Sequence, residues 1–290
     1  MNFGAFFVNV GPFSDPRLFS HLATSAEQHG VESLWTVEHV VIPVGYEATY
    51  PYDESGKIPM PNNTPLPDPL LPLAYAAAIT TKIKLATGIL ILPQRHPFYV
   101  AKEAATLDQL SGGRFILGIG VGWMHDEFEA LGIPFAERGP RTDESIRALR
   151  SLWKGEPEAF ECEYFRWNAV EMNPKPVQKN GVPIVIGGHS KASARRAARL
   201  GDGFFPGVGT PQEVTALKQV MAEECAKIGR DPNEIEITAV MGADDPALVE
   251  GMAAAGVSRL LAAYDMGSGK FAPGDIDAWL DGLASRHIGA

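Results

Sequence analysis

Apolar runs and amphipathic stretches alternate along the whole chain. Phe3 to Val10, Ser33 to Val37, Ile83 to Leu92, Phe115 to Val121, Ile184 to Ile186, Gly203 to Pro206, Ile235 to Val240 and Val257 to Leu261 read as strands. Several of these, such as ILILP and FILGIGVG, are continuously apolar and do not alternate, as strands buried on both faces of a parallel sheet should be. Between them lie helical patterns with recognisable ends. Asp15-Pro16 opens one that stops near Gly30, and Asp68-Pro69 opens another that runs through Ala78. In both, an N-cap acid precedes proline at the first helical position. Pro97 to Leu110 is stopped by Gly112-Gly113, and a further helix runs from about Pro140 to Trp153. Helices follow over Ser190 to Leu200, from Thr210 to Ile228, over 245–255 and from about Gly274 to Ser285; Thr210-Pro211-Gln212-Glu213 carries the N-cap and capping-box pattern.

Eight strand–helix units predict an α/β chain folded as a (β/α)8 TIM barrel, one domain over residues 1–290. A doubly wound sheet is the rival architecture. Two segments break the rhythm. Residues 40–67 form a long loop after the second strand, rich in proline and carrying Tyr46, Tyr50 and Tyr52. Residues 155–181, with Phe160, Tyr164, Phe165 and Trp167, read as a hairpin-like insertion.

In a barrel the site lies at the C-terminal ends of the strands, so the strand map is also a site map. Glu38-His39 follows the second strand, and an imidazole beside a carboxylate there suits proton transfer. The plainer reading is a histidine bonded to loop backbone. The long loop is expected to be a lid or a substrate wall, against a plain surface excursion. Thr87-Gly88-Ile89 places a glycine inside a strand, which marks either close backbone approach or packing inside the barrel. Gly118, Gly120 and Gly122 alternate up to Trp123, so one face of the strand end lacks side chains and leaves room for a flat ligand. Trp123 itself reads as core or as a stacking platform. Gly187-Gly188-His189-Ser190 joins a strand to a helix, either as an anion cradle of backbone N–H groups or as a tight turn with a serine cap. His96 precedes a helix and reads as its cap. The glycine spacing is neither a P-loop nor GxGxxG, and no GxSxG elbow is present.

Composition narrows the class. The chain has 290 residues, 45% hydrophobic and 21% charged, with a formal charge of −10. That balance is globular and argues against a nucleic-acid or anionic-membrane surface. Two distant cysteines, Cys162 and Cys225, and scattered histidines predict neither a disulfide framework nor a metal site. No apolar run approaches the roughly 20 residues of a spanning helix, and the start lacks a signal-peptide pattern, so a cytoplasmic protein is expected.

The segment LATGILILPQRHPFYVAKEAATLDQLSGGRFILGIGVGW, followed by EFEALGIPFAERGPRTDE and LRSLW, resembles the luciferase-like monooxygenase superfamily. The tyrosine-rich loop ending in PLPDPLLPLAYAAAITT and the segment IGGHSKASARRAARLGDGFFP are similar to its coenzyme F-420 (deazaflavin)-dependent oxidoreductase branch of actinobacteria. The resemblance is strong over 83–153 and weakens after Pro232. It implies hydride transfer between coenzyme F-420 and a small organic substrate, with His39 as acid or base and Glu38 tuning it. Cofactor contacts are implied at His39, at Thr87, Gly88 and Ile89, at Gly120, Val121, Gly122 and Trp123, and at Gly187, Gly188, His189 and Ser190. It also implies a non-prolyl cis peptide at Gly88-Ile89, and a homodimer whose interface is not legible here. The sugar-phosphate dehydrogenase relatives carry a catalytic glutamate where Trp123 stands, so their substrate is not implied. The alternatives are an FMN-dependent monooxygenase using reduced flavin and O2, and a flavin-binding barrel without turnover.

Overall fold

The computed structural model describes residues 1–207, 209–242 and 244–289. Its first half runs β1 (Asn2–Phe6), α1 (Pro16–Gln28), β2 (Ser33–Thr36), α2 (Leu70–Ile79), β3 (Lys84–Thr87), β4 (Leu90–Ile91), α3 (Pro97–Ser111), β5 (Phe115–Gly120), α4 (His125–Ala130) and α5 (Arg138–Trp153). The second half runs β6 (Phe160–Glu161), β7 (Arg166–Trp167), β8 (Ile184–Gly187), α6 (Lys191–Leu200), β9 (Gly203–Phe205), α7 (Pro211–Ile228), β10 (Glu236–Val240), α8 (Pro246–Ala254), β11 (Arg259–Ala263) and α9 (Pro273–Leu283).

The strands close into a parallel barrel in chain order: β1 pairs with β2 and β11, and β3 pairs with β5. Counting β3 and β4 as one interrupted strand gives the eight of a (β/α)8 barrel, and the doubly wound alternative is excluded by closure. The caps act as their residue types dictate. Asp15 accepts from the N–H groups of Arg17 and Leu18, and Gly112 takes the left-handed conformation after α3. The 155–181 insertion contains the expected antiparallel hairpin, two residues on each strand. One helix was not expected: α4, six residues with Asp126 and Glu127 in its first turn.

Outward strand residues such as Leu34, Leu85 and Leu117 pack under the helices, while Phe6, Trp35, Ala86, Ile116, Val185, Phe205 and Leu261 fill the barrel. The large Trp35 ring dictates glycine above it, because a Cβ at Gly88 would lie 2.9 Å from that ring. At Gly118 a Cβ would meet the Thr87 carbonyl oxygen at 1.9 Å. The expected strand Ile83–Leu92 is broken at the same place, where the Gly88-Ile89 peptide is cis and separates β3 from β4.

The N-terminal end of the barrel is closed by Arg259. Its side chain is fully buried, donates through Nε and Nη2 to the two Glu32 carboxylate oxygens at 2.7 and 2.8 Å, and lies 5.7 Å over the Trp35 ring. Among the described residues no helix is long and apolar enough to cross a membrane.

Candidate functional site

The C-terminal mouth is built on Asn9, just beyond β1. Its buried amide donates to the carbonyls of Val37 (2.8 Å) and Pro67 (3.1 Å) and accepts from the Val37 N–H (2.9 Å). One side chain therefore pins both the strand end that carries Glu38-His39 and the far end of the long loop. Asn9→Ala is expected to cost about 1–3 kcal/mol, because buried backbone groups lose their partner. Faster proteolytic nicking within residues 40–67, with a lowered unfolding midpoint, is the measurement that checks it.

Glu38 and His39 leave the strand on opposite sides, as neighbours on an extended chain must. Glu38 is buried, accepts the Ile91 N–H at 2.5 Å, and takes both Nε and Nη2 of Arg95, whose Nη2 also reaches Asp68 at 2.7 Å. Burial pushes the Glu38 carboxyl up, and the Arg95 guanidinium opposes that rise. The expectation that Glu38 tunes His39 is thereby corrected. The carboxylate against His39 is Glu127 of α4, whose Oε2 lies 3.0 Å from the imidazole Nδ1. Its Oε1 accepts the N–H groups of Val40 (2.6 Å) and Val41 (3.3 Å). The adjacent Asp126 accepts the N–H groups of Glu47 and Ala48, and the first of these bonds holds its carboxyl below the usual range. Two consecutive acids on a short helix thus clasp the start of the loop at two points.

The loop lies on the mouth. The Trp123 ring meets His39 edge-on at 5.6 Å, Tyr46 at 5.9 Å and Tyr50 at 5.2 Å, so it belongs to an aromatic wall and not to the barrel core. Tyr52 reaches across to the His189 ring, with its hydroxyl 3.2 Å from Nδ1. Sequence reasoning named the loop but gave Tyr52 no partner, since 137 residues separate it from His189. In the 207–210 segment beside it, Val208 lies outside the described residues.

The alternating glycines do not leave an open face, which corrects the expectation. A Cβ at Gly120 or at Gly187 would stand 2.6 Å from the Ile89 side chain, which fills the space between them. On this side Thr87 and Gly88 are buried, and Ile89, Val121 and Gly122 are half-buried. Ser190 caps α6 through a reciprocal bond with Ser193, leaving the first-turn N–H groups of Lys191 and Ala192 without intrahelical acceptors. Gly188 precedes them with φ of +126°, a conformation that favours glycine. The capping serine and the N–H cradle are thus both present in one turn.

Unmet polar groups gather at the same end. Both amide atoms of Gln94 and the Nε atoms of Arg138 and Arg141 are buried without a partner. Gln94 ends the turn that follows β4, and the start of α5, which carries both arginines, packs on that turn. Neither arginine has a carboxylate partner among the described residues. His96 caps α3 by accepting the Phe98 N–H, as expected, and burial lowers its pKa. Among the described residues no three His, Cys, Asp or Glu side chains gather as a metal site would require.

A family model described as luciferase-like monooxygenase matches residues 1–259. The chain belongs to that family. Among its relatives is an uncharacterized protein of Mycobacterium tuberculosis, 34% identical over 232 residues, which are 79% of each chain. Two solved structures share the fold across nearly the whole length. Monooxygenase RslO1 from Streptomyces bottropensis is 24% identical at a TM-score of 0.76, covering 100% of this chain and 99% of that one. The coenzyme F-420 dependent tetrahydromethanopterin reductase from Methanopyrus kandleri is 20% identical at a TM-score of 0.75, covering 98% and 97%. The family so described is one of enzymes, luciferase-like monooxygenases.

Proposed function

We propose that this luciferase-like enzyme is a coenzyme F-420-dependent oxidoreductase acting on a small organic substrate. The observation that carries the reading is a protonatable imidazole, His39, held by a buried carboxylate at the barrel mouth beside the Gly88-Ile89 turn and the Trp123 wall. The residues fit such a cofactor. The flat turn and the aromatic wall suit a tricyclic ring. The orphaned polar atoms of Gln94, Arg138 and Arg141, with the open N–H groups at the start of α6, suit an anionic tail. When bound, a deazaflavin supplies two-electron hydride chemistry without activating O2. The chain's own part is to bind the ring, exclude water under the loop, and give or take one proton at His39. Glu38, locked by Arg95, fixes the strand end on which His39 stands.

The full-length match to a monooxygenase supports a second reading, in which the same mouth holds reduced FMN and O2 is activated. Titrating the purified protein with FMN and with coenzyme F-420 separates the two. Tight binding of the deazaflavin with much weaker FMN binding is expected. The reverse order overturns the proposal in favour of the monooxygenase, and a bound cofactor never reduced or reoxidised by any substrate points to a binding barrel without turnover.

A further inference from the structure

We propose that Glu127 is a positioning residue that decides which nitrogen of His39 carries the proton. The inference rests on His39 as the acid or base of the proposed reaction, but it concerns the imidazole alone and can be tested without any cofactor.

The argument starts from the donors that meet Glu127. Its carboxylate is fully buried, 0% exposed, in a place where an ionised carboxylate acts as acceptor only. Oε1 is occupied by two backbone donors, the N–H groups of Val40 and Val41. Oε2 faces the His39 Nδ1 at 3.0 Å, so Nδ1 must be the protonated, donating nitrogen of the neutral ring. The Nε2 atom is then the one with the free lone pair. Among the described residues Nε2 makes no hydrogen bond, and the side chain keeps 11% of its surface open at the mouth. A proton acceptor is thus held ready on the side where a substrate would sit, while the other nitrogen is tied down. The backbone donors make the arrangement directional. Val40 and Val41 immediately follow His39, so the carboxylate that orients the ring is itself held by the segment that carries the ring.

That directionality gives a specific consequence. In Glu127→Gln one carboxylate oxygen becomes an NH2 group. The amide oxygen must stay where Val40 and Val41 donate, because two N–H donors cannot face an NH2. The NH2 group then faces Nδ1 and donates to it, so Nδ1 must accept and the neutral ring must carry its proton on Nε2. A near-isosteric substitution therefore inverts the tautomer and removes the lone pair from the mouth.

The test is two-bond 1H–15N correlation of the full chain with 15N-labelled histidine at alkaline pH, where His39 is recognised as the ring whose signals vanish in His39→Asn. The expected result is a protonated Nδ1 and an unprotonated Nε2 in the unsubstituted protein, and the swapped pattern in Glu127→Gln. An unsubstituted protein with its proton on Nε2, or a Glu127→Gln protein with an unchanged pattern, overturns the proposal. The measurement on the unsubstituted protein stands even if the variant does not fold. If the tautomers swap but His39→Asn keeps full turnover, the assignment of His39 as acid or base has failed and the role of Glu127 has not.

Discussion

Replacing Arg259 by alanine is expected to cost about 3–5 kcal/mol of folding stability, the range for removing one partner of a buried ion pair. The guanidinium is fully enclosed, bonded to both Glu32 oxygens and to the Thr238 hydroxyl, and seated over Trp35 at the base of the barrel. Its loss leaves a carboxylate that is only 17% exposed with Lys84 alone as counter-charge, at 2.8 Å from Oε1. Burial alone would raise the Glu32 carboxyl; Arg259 foremost, with Lys84 and Ser33, more than offsets that and holds it at about 2 against the ordinary 4.5. A depressed folded-state value contributes stability that is complete above about pH 4.5 and is lost as pH falls through about 2. The whole shift corresponds to about 3 kcal/mol, of which Arg259 supplies the largest share. Urea unfolding of both proteins between pH 7 and pH 2.5 checks this. The gap between them should be widest at neutral pH and should narrow in acid. A gap that does not change with pH would mean that Arg259 acts by packing alone.

His39→Asn is expected to lower turnover by about 10²–10⁴-fold, the usual worth of a positioned general acid or base. Asparagine keeps a donor near Glu127, so the loop start should stay bonded and cofactor affinity should move by less than about tenfold, 1.4 kcal/mol. Following deazaflavin absorbance during reaction, alongside a binding titration, distinguishes the outcomes. Unchanged turnover with intact binding would remove His39 from the chemistry. A matched loss of binding and turnover would make it a cofactor contact only.

The barrel was legible because strands buried on both faces are continuously apolar and because helix ends carry their own signals. Asp15, Gly112 and Thr210 stand where the capping pattern puts them. The strand ends then located the mouth, and His39, Gly88 and Trp123 all lie there. What the sequence did not carry was pairing. Glu38 is adjacent to His39 along the chain and faces away from it, while Glu127 is 88 residues distant and touches it. Nothing in the run His125-Asp126-Glu127 distinguishes a clasp from a solvated acidic turn, and a helix of six residues is too short to show a period. The alternate glycines were misread for a related reason. Absent side chains signal that something approaches closely, but not whether that is a ligand or another part of the chain.

The filling of the Gly120 and Gly187 notches by Ile89 ties residues from two strands, β5 and β8, to a single isoleucine. An alanine at either glycine would not narrow a vacant groove. It would evict the isoleucine and push that surface toward the solvent. Redesigning the depth of this cleft therefore begins by trimming Ile89, and any enlargement at 120 or 187 is tolerable only in company with that trim. The three positions form one epistatic unit, to be varied together in a library and scored as a set.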